Sequence, residues 1–150
     1  MSEILIEEYR GSVLENVNRG FICGVNDKGE ALYEVGESDY LTFFRSASKP
    51  VQALPVISSG IIEKYGISEK ESTIFCGSHR GEPFHIDVLE SIMKKTGLSE
   101  DDCIMLPAYP LNTKAMEELI WRNMPRRKIY HNCFGKHLSL LLLCRELGCD

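Results

Sequence analysis

From about Gly135 to Leu147 the chain reads as a helix that is apolar nearly all round, and this feature limits the fold more than any other. A helix with one apolar stripe can lie on a surface, whereas one that is apolar on every side has to be enclosed by other elements. Its richest stretch, Leu138–Cys144, is far shorter than the roughly 20 residues that a bilayer requires. The expectation is a globular domain with no membrane partner, in which this helix holds a core position. At 150 residues, 43% hydrophobic and 26% charged, the chain can bury one real core and not comfortably two. A helix of this kind so close to Asp150 also needs cover, from further chain or from a second copy in a homodimer.

The segments ahead of it read as mixed α and β. Ile4–Ile6 and Phe21–Val25 have strand character, and the turn signal Asn26-Asp27-Lys28-Gly29 leads into Ala31–Val35, so the latter two are expected to pair as a hairpin. The apolar segment Leu41–Phe44 runs into a helix from about Ala47 to Ser59, with Pro50 in its first turn, Pro55 as a kink and Gly60 as its stop. Ser72–Cys76 reads as a buried strand ending at Gly77. Helices are expected over Pro83–Thr96, ended by Gly97, and over Lys114–Asn123, with a loop between them around Leu106–Thr113. Trp121, with Leu119 and Ile120, reads as core, as does the Cys144 thiol. The order gives an α/β (α+β) domain over residues 1–150.

Charge and cysteine usage narrow the partners. A net charge of −5 disfavours nucleic acid, and the one basic run, Arg126-Arg127-Lys128, reads as a solvated loop. Six cysteines are scattered without a CxxC pair, and Met1-Ser2-Glu3 does not open a secretory leader, so reduced thiols in the cytoplasm are expected.

Three short constellations could carry chemistry. In Ser46-Ala47-Ser48-Lys49, a serine and a lysine three apart at a helix start share one face, so the amine can take the hydroxyl proton when it is neutral. Burial, the helix dipole and Arg45 all favour that neutral form. The ordinary alternative is a capping serine followed by a solvated lysine. In Gly77-Ser78-His79-Arg80-Gly81-Glu82, Ser78 could supply a second hydroxyl to the same cleft, or could simply be a turn serine before a helix. In His131-Asn132-Cys133-Phe134-Gly135-Lys136-His137, potential metal ligands crowd into seven residues without the paired spacing of a structural zinc site. His85 reads as a surface or capping residue.

Taken in order, Arg45-Ser46-Ala47-Ser48-Lys49-Pro50-Val51-Gln52-Ala53-Leu54-Pro55, then Ser78–His85, then His131–His137 resemble the successive signatures of the asparaginase II family. Arg10-Gly11 and Asn18-Arg19-Gly20 are similar to that family's opening, so the resemblance runs over nearly the whole chain. It implies a fold like that of serine β-lactamases and penicillin-binding proteins, present here as its N-terminal portion. It implies hydrolysis of the L-asparagine side-chain amide through an acyl-enzyme, with Ser46 as nucleophile and Lys49 as base. Ser78 would belong to a second serine–lysine pair, Cys133 and Lys136 would be two ligands of a zinc ion, and Arg45 and His137 would line the substrate pocket. The lysine partner of Ser78 and a further cysteine ligand would lie beyond residue 150. Arg80 and Phe134 depart from the family's small polar residues. Two other readings stand beside it: a non-catalytic remnant that binds a small amide or a partner chain, and a β-lactamase-like acylase acting on another amide.

Overall fold

Two antiparallel hairpins open the chain, as seen in a computed structural model that describes residues 1–149. β1 (Glu3–Arg10) pairs with β2 (Val13–Gly20) in a register from Glu3↔Gly20 to Arg10↔Val13, with irregularities between Ile4 and Ile6 and between Glu8 and Tyr9. β3 (Ile22–Val25) pairs with β4 (Ala31–Val35) as the turn signal implied. In that turn the Asn26 side chain accepts from the main-chain N–H groups of Lys28 and Glu30, each at 2.9 Å. This is the local bond that makes Asn a turn former. The first hairpin was not legible beyond Ile4–Ile6, because β2 carries Glu15, Asn16, Asn18 and Arg19 in place of a clean alternation. These elements lie in the first of two compact units, Met1–Phe43 and Phe44–Asp150.

The second unit is helical. A 3-10 turn at Arg45–Ser48 leads into α1 (Lys49–Ser58), followed by the short α2 (Ile61–Lys64) and α3 (Glu69–Ser72), then α4 (Pro83–Thr96), α5 (Thr113–Trp121) and α6 (Phe134–Leu147). Pro50 sits in the first turn of α1, and Pro55 lies inside it. Pro55 deprives the Val51 carbonyl of its helical donor. Val51 is 66% exposed, so water can take the place of that bond. Gly97 ends α4 in the left-handed conformation (φ 70°), with its N–H on the Met93 carbonyl.

Ala53 and Val56 of α1, Leu89 and Ile92 of α4, and Phe134, Leu138 and Leu142 of α6 form the core together with Ile74, Phe75 and Ile129. Gly135 lets α6 approach closely: a Cβ there would stand 2.6 Å from the Ile74 carbonyl oxygen. Among the described residues, no helix is long and apolar enough to cross a membrane.

Several expectations are corrected. Ser72–Cys76 is not a strand: α3 continues into a 3-10 turn at Thr73–Phe75. A capping box between Ser68 and Glu71 starts the helix. The hydroxyls of Ser72 and Thr73 then donate to the carbonyls three residues back, at 2.8 and 2.7 Å, which closes turns where a strand would need an extended backbone. The inward direction of Ile74 and Phe75 was read correctly. Trp121 is 85% exposed and Cys144 is also exposed. Each lies two positions, about 200° around a helix, from the residue that does pack, Leu119 and Leu142 respectively. Accordingly α6 buries one stripe, while Leu140, Leu141 and Leu143 are half-buried. Arg127 pairs with Glu90 and Glu100, and the Lys128 ammonium donates to the Cys103 carbonyl at 2.6 Å, so the basic run is tied into the fold.

Candidate active site

Lys49 is the first residue of α1, and its side chain runs inward until only 4% of the residue is exposed. Its amine donates to the Ser78 hydroxyl at 2.6 Å, to the Gly77 carbonyl at 3.0 Å and to the Cys133 sulfur at 3.3 Å. None of these partners is a carboxylate. The Ser78 hydroxyl is in turn 3.2 Å from that of Ser46. Both serines are exposed, so one end of this chain of contacts opens to solvent and the other is buried. The three sequence motifs therefore meet at one lysine.

Each arm of the group has its own support. Arg45, directly before Ser46, has φ 52°, a left-handed backbone that a non-glycine residue adopts at a cost of about 1–3 kcal/mol. Its carbonyl accepts from the Ser48 hydroxyl at 2.8 Å, and Ser48 is held by Gln52 at 3.0 Å. On the second arm, the His79 main-chain N–H donates to the Asn132 carbonyl at 3.1 Å. The His79 ring closes the turn, its Nδ1 accepting from the Gly81 N–H at 3.1 Å. Gly81, at φ 75°, lies against Pro110, where a Cβ would come within 2.8 Å of the proline ring. On the third arm, the Cys133 N–H donates to His131 Nδ1 at 3.1 Å just before α6 begins. The His79–Asn132 bond ties the second arm to the third.

Two histidines of this region are shifted toward their neutral forms. Burial, reinforced by His85, holds His79 at about 4. Burial also lowers His137, with Lys136, His131 and Lys49 nearby adding to the effect.

The structure brings Ser46, Lys49, Ser78 and Cys133 together. Among the described residues, no hydrogen bond joins the Arg45, Lys136 or His137 side chains to them. His137 lines a cavity of about 180 Å³ with Cys103 and Cys144. Lys49 also bonds Ser78 rather than Ser46 directly, so the expected serine–lysine contact is made through a second hydroxyl. The spacing of SxxK could not show this, because the intervening residue lies 29 positions away from the lysine.

Cys133 and Lys136 are three residues apart at the start of α6, a spacing that puts two donors on one face. Zinc sites take three or four protein ligands. The described residues contain no group of three His, Cys, Asp or Glu side chains placed to hold a metal. The Cys133 sulfur is engaged with Lys49. Two donors alone do not complete a zinc site.

The profile of the L-asparaginase II family matches residues 6–150. The chain belongs to this family. The comparison with curated proteins found no match. Family membership suggests an L-asparaginase-type function, a hydrolase acting on asparagine, and the match includes every segment of the Ser46–Ser78–Lys49–Cys133 group.

Proposed function

We propose that this chain carries the nucleophilic half of an L-asparagine amidohydrolase, with Ser46 attacking the side-chain amide carbon. One observation above all supports the reading: the unbroken contact from a buried lysine amine through Ser78 to the exposed Ser46 hydroxyl. Hydroxyl hydrogens rotate to suit their partners. When the Lys49 amine is neutral, so that Ser46 can donate to Ser78 and Ser78 to Lys49, the proton lost by the nucleophile passes to the buried amine as the new C–O bond forms. The same route returns a proton to the departing ammonia. Water then hydrolyses the Ser46 ester by the reverse pathway, releasing aspartate. Arg45 and His137 are proposed as pocket residues for the amino acid.

The contact distances favour one second reading. Ser78 is the hydroxyl that touches Lys49, so it is also placed to be the nucleophile, with Ser46 donating to the developing charge. Mass spectrometry of the protein quenched during turnover of L-asparagine separates the two. An adduct on the peptide containing Ser46 supports the first assignment and one on the Ser78 peptide the second. Ser46→Ala is expected to lower ammonia release at least 10³-fold, in line with loss of a nucleophile and its proton path. Near-normal release by this variant would remove Ser46 from the mechanism. Release from L-glutamine equal to that from L-asparagine would favour the broader acylase. A folded protein that releases ammonia from neither would favour the binding remnant.

The β-lactamase-like architecture, a cytoplasmic location with reduced thiols and a homodimer belong to the same proposal. So does zinc at Cys133 and Lys136, which requires a third donor from another segment or molecule. Metal analysis of the purified protein tests it, with Cys133→Ala expected to lower the zinc content.

A further inference from the structure

Lys49 touches a second kind of nucleophile besides its serine. Its amine stands 3.3 Å from the Cys133 sulfur. Lys49 opens α1 and Cys133 caps α6, and the buried residues Ala53, Val56, Leu138 and Leu142 of these helices share one core, so the contact is held from both ends. Cys133 is half-buried, whereas Cys103 is only 1% exposed. Among the described residues, no hydrogen bond joins the sulfur of any other cysteine to a lysine amine. The proton route from Ser46 through Ser78 to Lys49 makes no use of this sulfur.

Sulfur and nitrogen placed in this way can be joined by a two-electron oxidation. A thiol is oxidised first to a sulfenic acid, whose sulfur condenses with a neighbouring nucleophile. With hydrogen peroxide as oxidant, the Cys133 sulfur attacks one peroxide oxygen, the O–O bond breaks and the other oxygen leaves as water. The Lys49 nitrogen then attacks the sulfenic sulfur, the S–O bond breaks and the hydroxyl leaves as a second water, taking a proton from the amine. The sulfur has lost two electrons, the peroxide has gained them, and an S–N bond remains. One thiol, one amine and one peroxide thus give one sulfenamide and two waters. The balance is the same whether the proton shared by the pair begins on sulfur or on nitrogen. Holding the two atoms in contact favours this condensation over attack by a second peroxide, because positioned partners react far faster than free ones. Two equivalents of a small thiol reverse the reaction, restoring the cysteine and the amine and leaving as their own disulfide.

We propose that Cys133 and Lys49 form a reversible sulfenamide cross-link under peroxide, a modification that takes the general base out of the site. The cross-link rests on the observed contact, and its effect on turnover rests on the amidohydrolase reading. The test treats the full chain with hydrogen peroxide in the presence of EDTA, so that no metal covers the sulfur. After digestion, mass spectrometry should find the Lys49 and Cys133 peptides joined, with their summed mass less two hydrogens, and dithiothreitol should separate them. Cys133→Ser and Lys49→Arg should each abolish the joined species, with Cys133 in the second variant going on to sulfinic acid. The exposed Cys23 and Cys144 should oxidise without joining a lysine. Ammonia release from L-asparagine should fall about 10²-fold as the cross-link forms and return with dithiothreitol, the loss expected when a general base is removed. Wild-type Cys133 that reaches sulfinic acid with no joined peptide would overturn the proposal. Joining of Cys144 to a lysine as readily as Cys133 would overturn it as well. A cross-link in a chain that releases no ammonia before treatment would uphold the modification and count against the hydrolase.

Discussion

The hairpin unit and the helical unit solve the same problem of holding a chain in place by different means. None of the described residues 1–43 is buried, and apolar side chains such as Val13, Tyr33 and Leu41 are 66%, 71% and 93% exposed. Those strands are held by their backbone ladders, a side-chain-bonded turn and a Phe21–Tyr40 stack. The helical unit buries Phe75, Phe134, Leu138 and Leu142 completely and pins its loops with main-chain bonds. A relay in which each contact must stay near 3 Å needs the second kind of support, and that is where it lies. The difference also predicts that substitutions will register in the helical unit far more than in the hairpins.

The largest expected contrast comes from deleting side-chain volume. Phe134→Ala removes a fully buried ring from the first turn of α6 and should cost about 3–5 kcal/mol. Leu5→Ala, on a residue 39% exposed in β1, should cost about 1 kcal/mol or less. Hydrogen exchange of the α6 amides and of the β1–β2 ladder reads each unit separately. Equal losses of protection would mean that the hairpins are packed against something that holds them as firmly as a core.

A smaller contrast rests on two glycines. In a helix alanine is the better former by about 1 kcal/mol, yet a Cβ on Gly135 would meet the Ile74 carbonyl oxygen, a backbone atom, at 2.6 Å. The net loss for Gly135→Ala should be about 1–3 kcal/mol by urea unfolding. Gly20→Ala brings its Cβ to 2.7 Å from Leu5 Cδ1, the end of a flexible and part-exposed side chain, and should change stability by about 0.5 kcal/mol or less. A neutral Gly135→Ala would show that α6 can slide away from the 3-10 turn.

These contrasts also mark how much could be read from the residues alone. Pro83–Thr96 was legible because its apolar period and its terminal Gly97 agree, and the β3–β4 hairpin because Asn26 and Gly29 dictate the turn. Ser72–Cys76 misled because an apolar run of that length does not distinguish a strand from a helical turn, and the deciding bonds are made by the serine and threonine hydroxyls. At the site, Ser46, Lys49, Ser78 and Cys133 were all singled out, but not that Ser78 stands between the other serine and the lysine. His85 passed as a surface residue, since nothing local tells that its Nδ1 is enclosed beside His79. Both misses concern contacts between segments that are distant in sequence, which periodicity and capping rules do not address.

Acid should separate the units as well. His79 titrates near 6.5 when unfolded and near 4 when folded, so between these values the unfolded chain holds a proton that the folded chain refuses. Its contribution is complete above pH 6.5 and falls away as pH drops toward 4, by on the order of 2 kcal/mol. Glu71 has the same sign at lower pH: burial opposes its charge, but bonds from Lys95, Ser91 and Ser68 prevail and hold it at about 2. Urea midpoints of the helical unit should therefore fall between pH 7 and pH 5, and His79→Gln should flatten that slope. Hairpin amide protection, corrected for intrinsic exchange, should stay level over the same range.

The smallest effect tests the comparison from the hairpin side. Arg10 and Glu15 pair across β1 and β2 with side chains 81% and 48% exposed, and the Arg10 Nε–H donates to Glu15 at 2.9 Å. Water and salt screen such a pair, so Glu15→Ala should cost about 0.5 kcal/mol or less. Glu71 in the helical unit is also ion-paired, but its side chain is 12% exposed and takes bonds from Lys95 at 2.6 Å and Ser91 at 2.7 Å as well as capping α3. Glu71→Ala should cost about 2 kcal/mol, because it strands those donors and removes the cap. Hydrogen exchange in about 0.05 and 0.5 M salt would sharpen the pairing, with the Glu15 effect vanishing at the higher salt and the Glu71 effect persisting. A Glu15 effect that matched Glu71 and survived salt would show that this edge of the hairpin is covered in solution, and the contrast between an exposed ladder and a buried core would no longer hold.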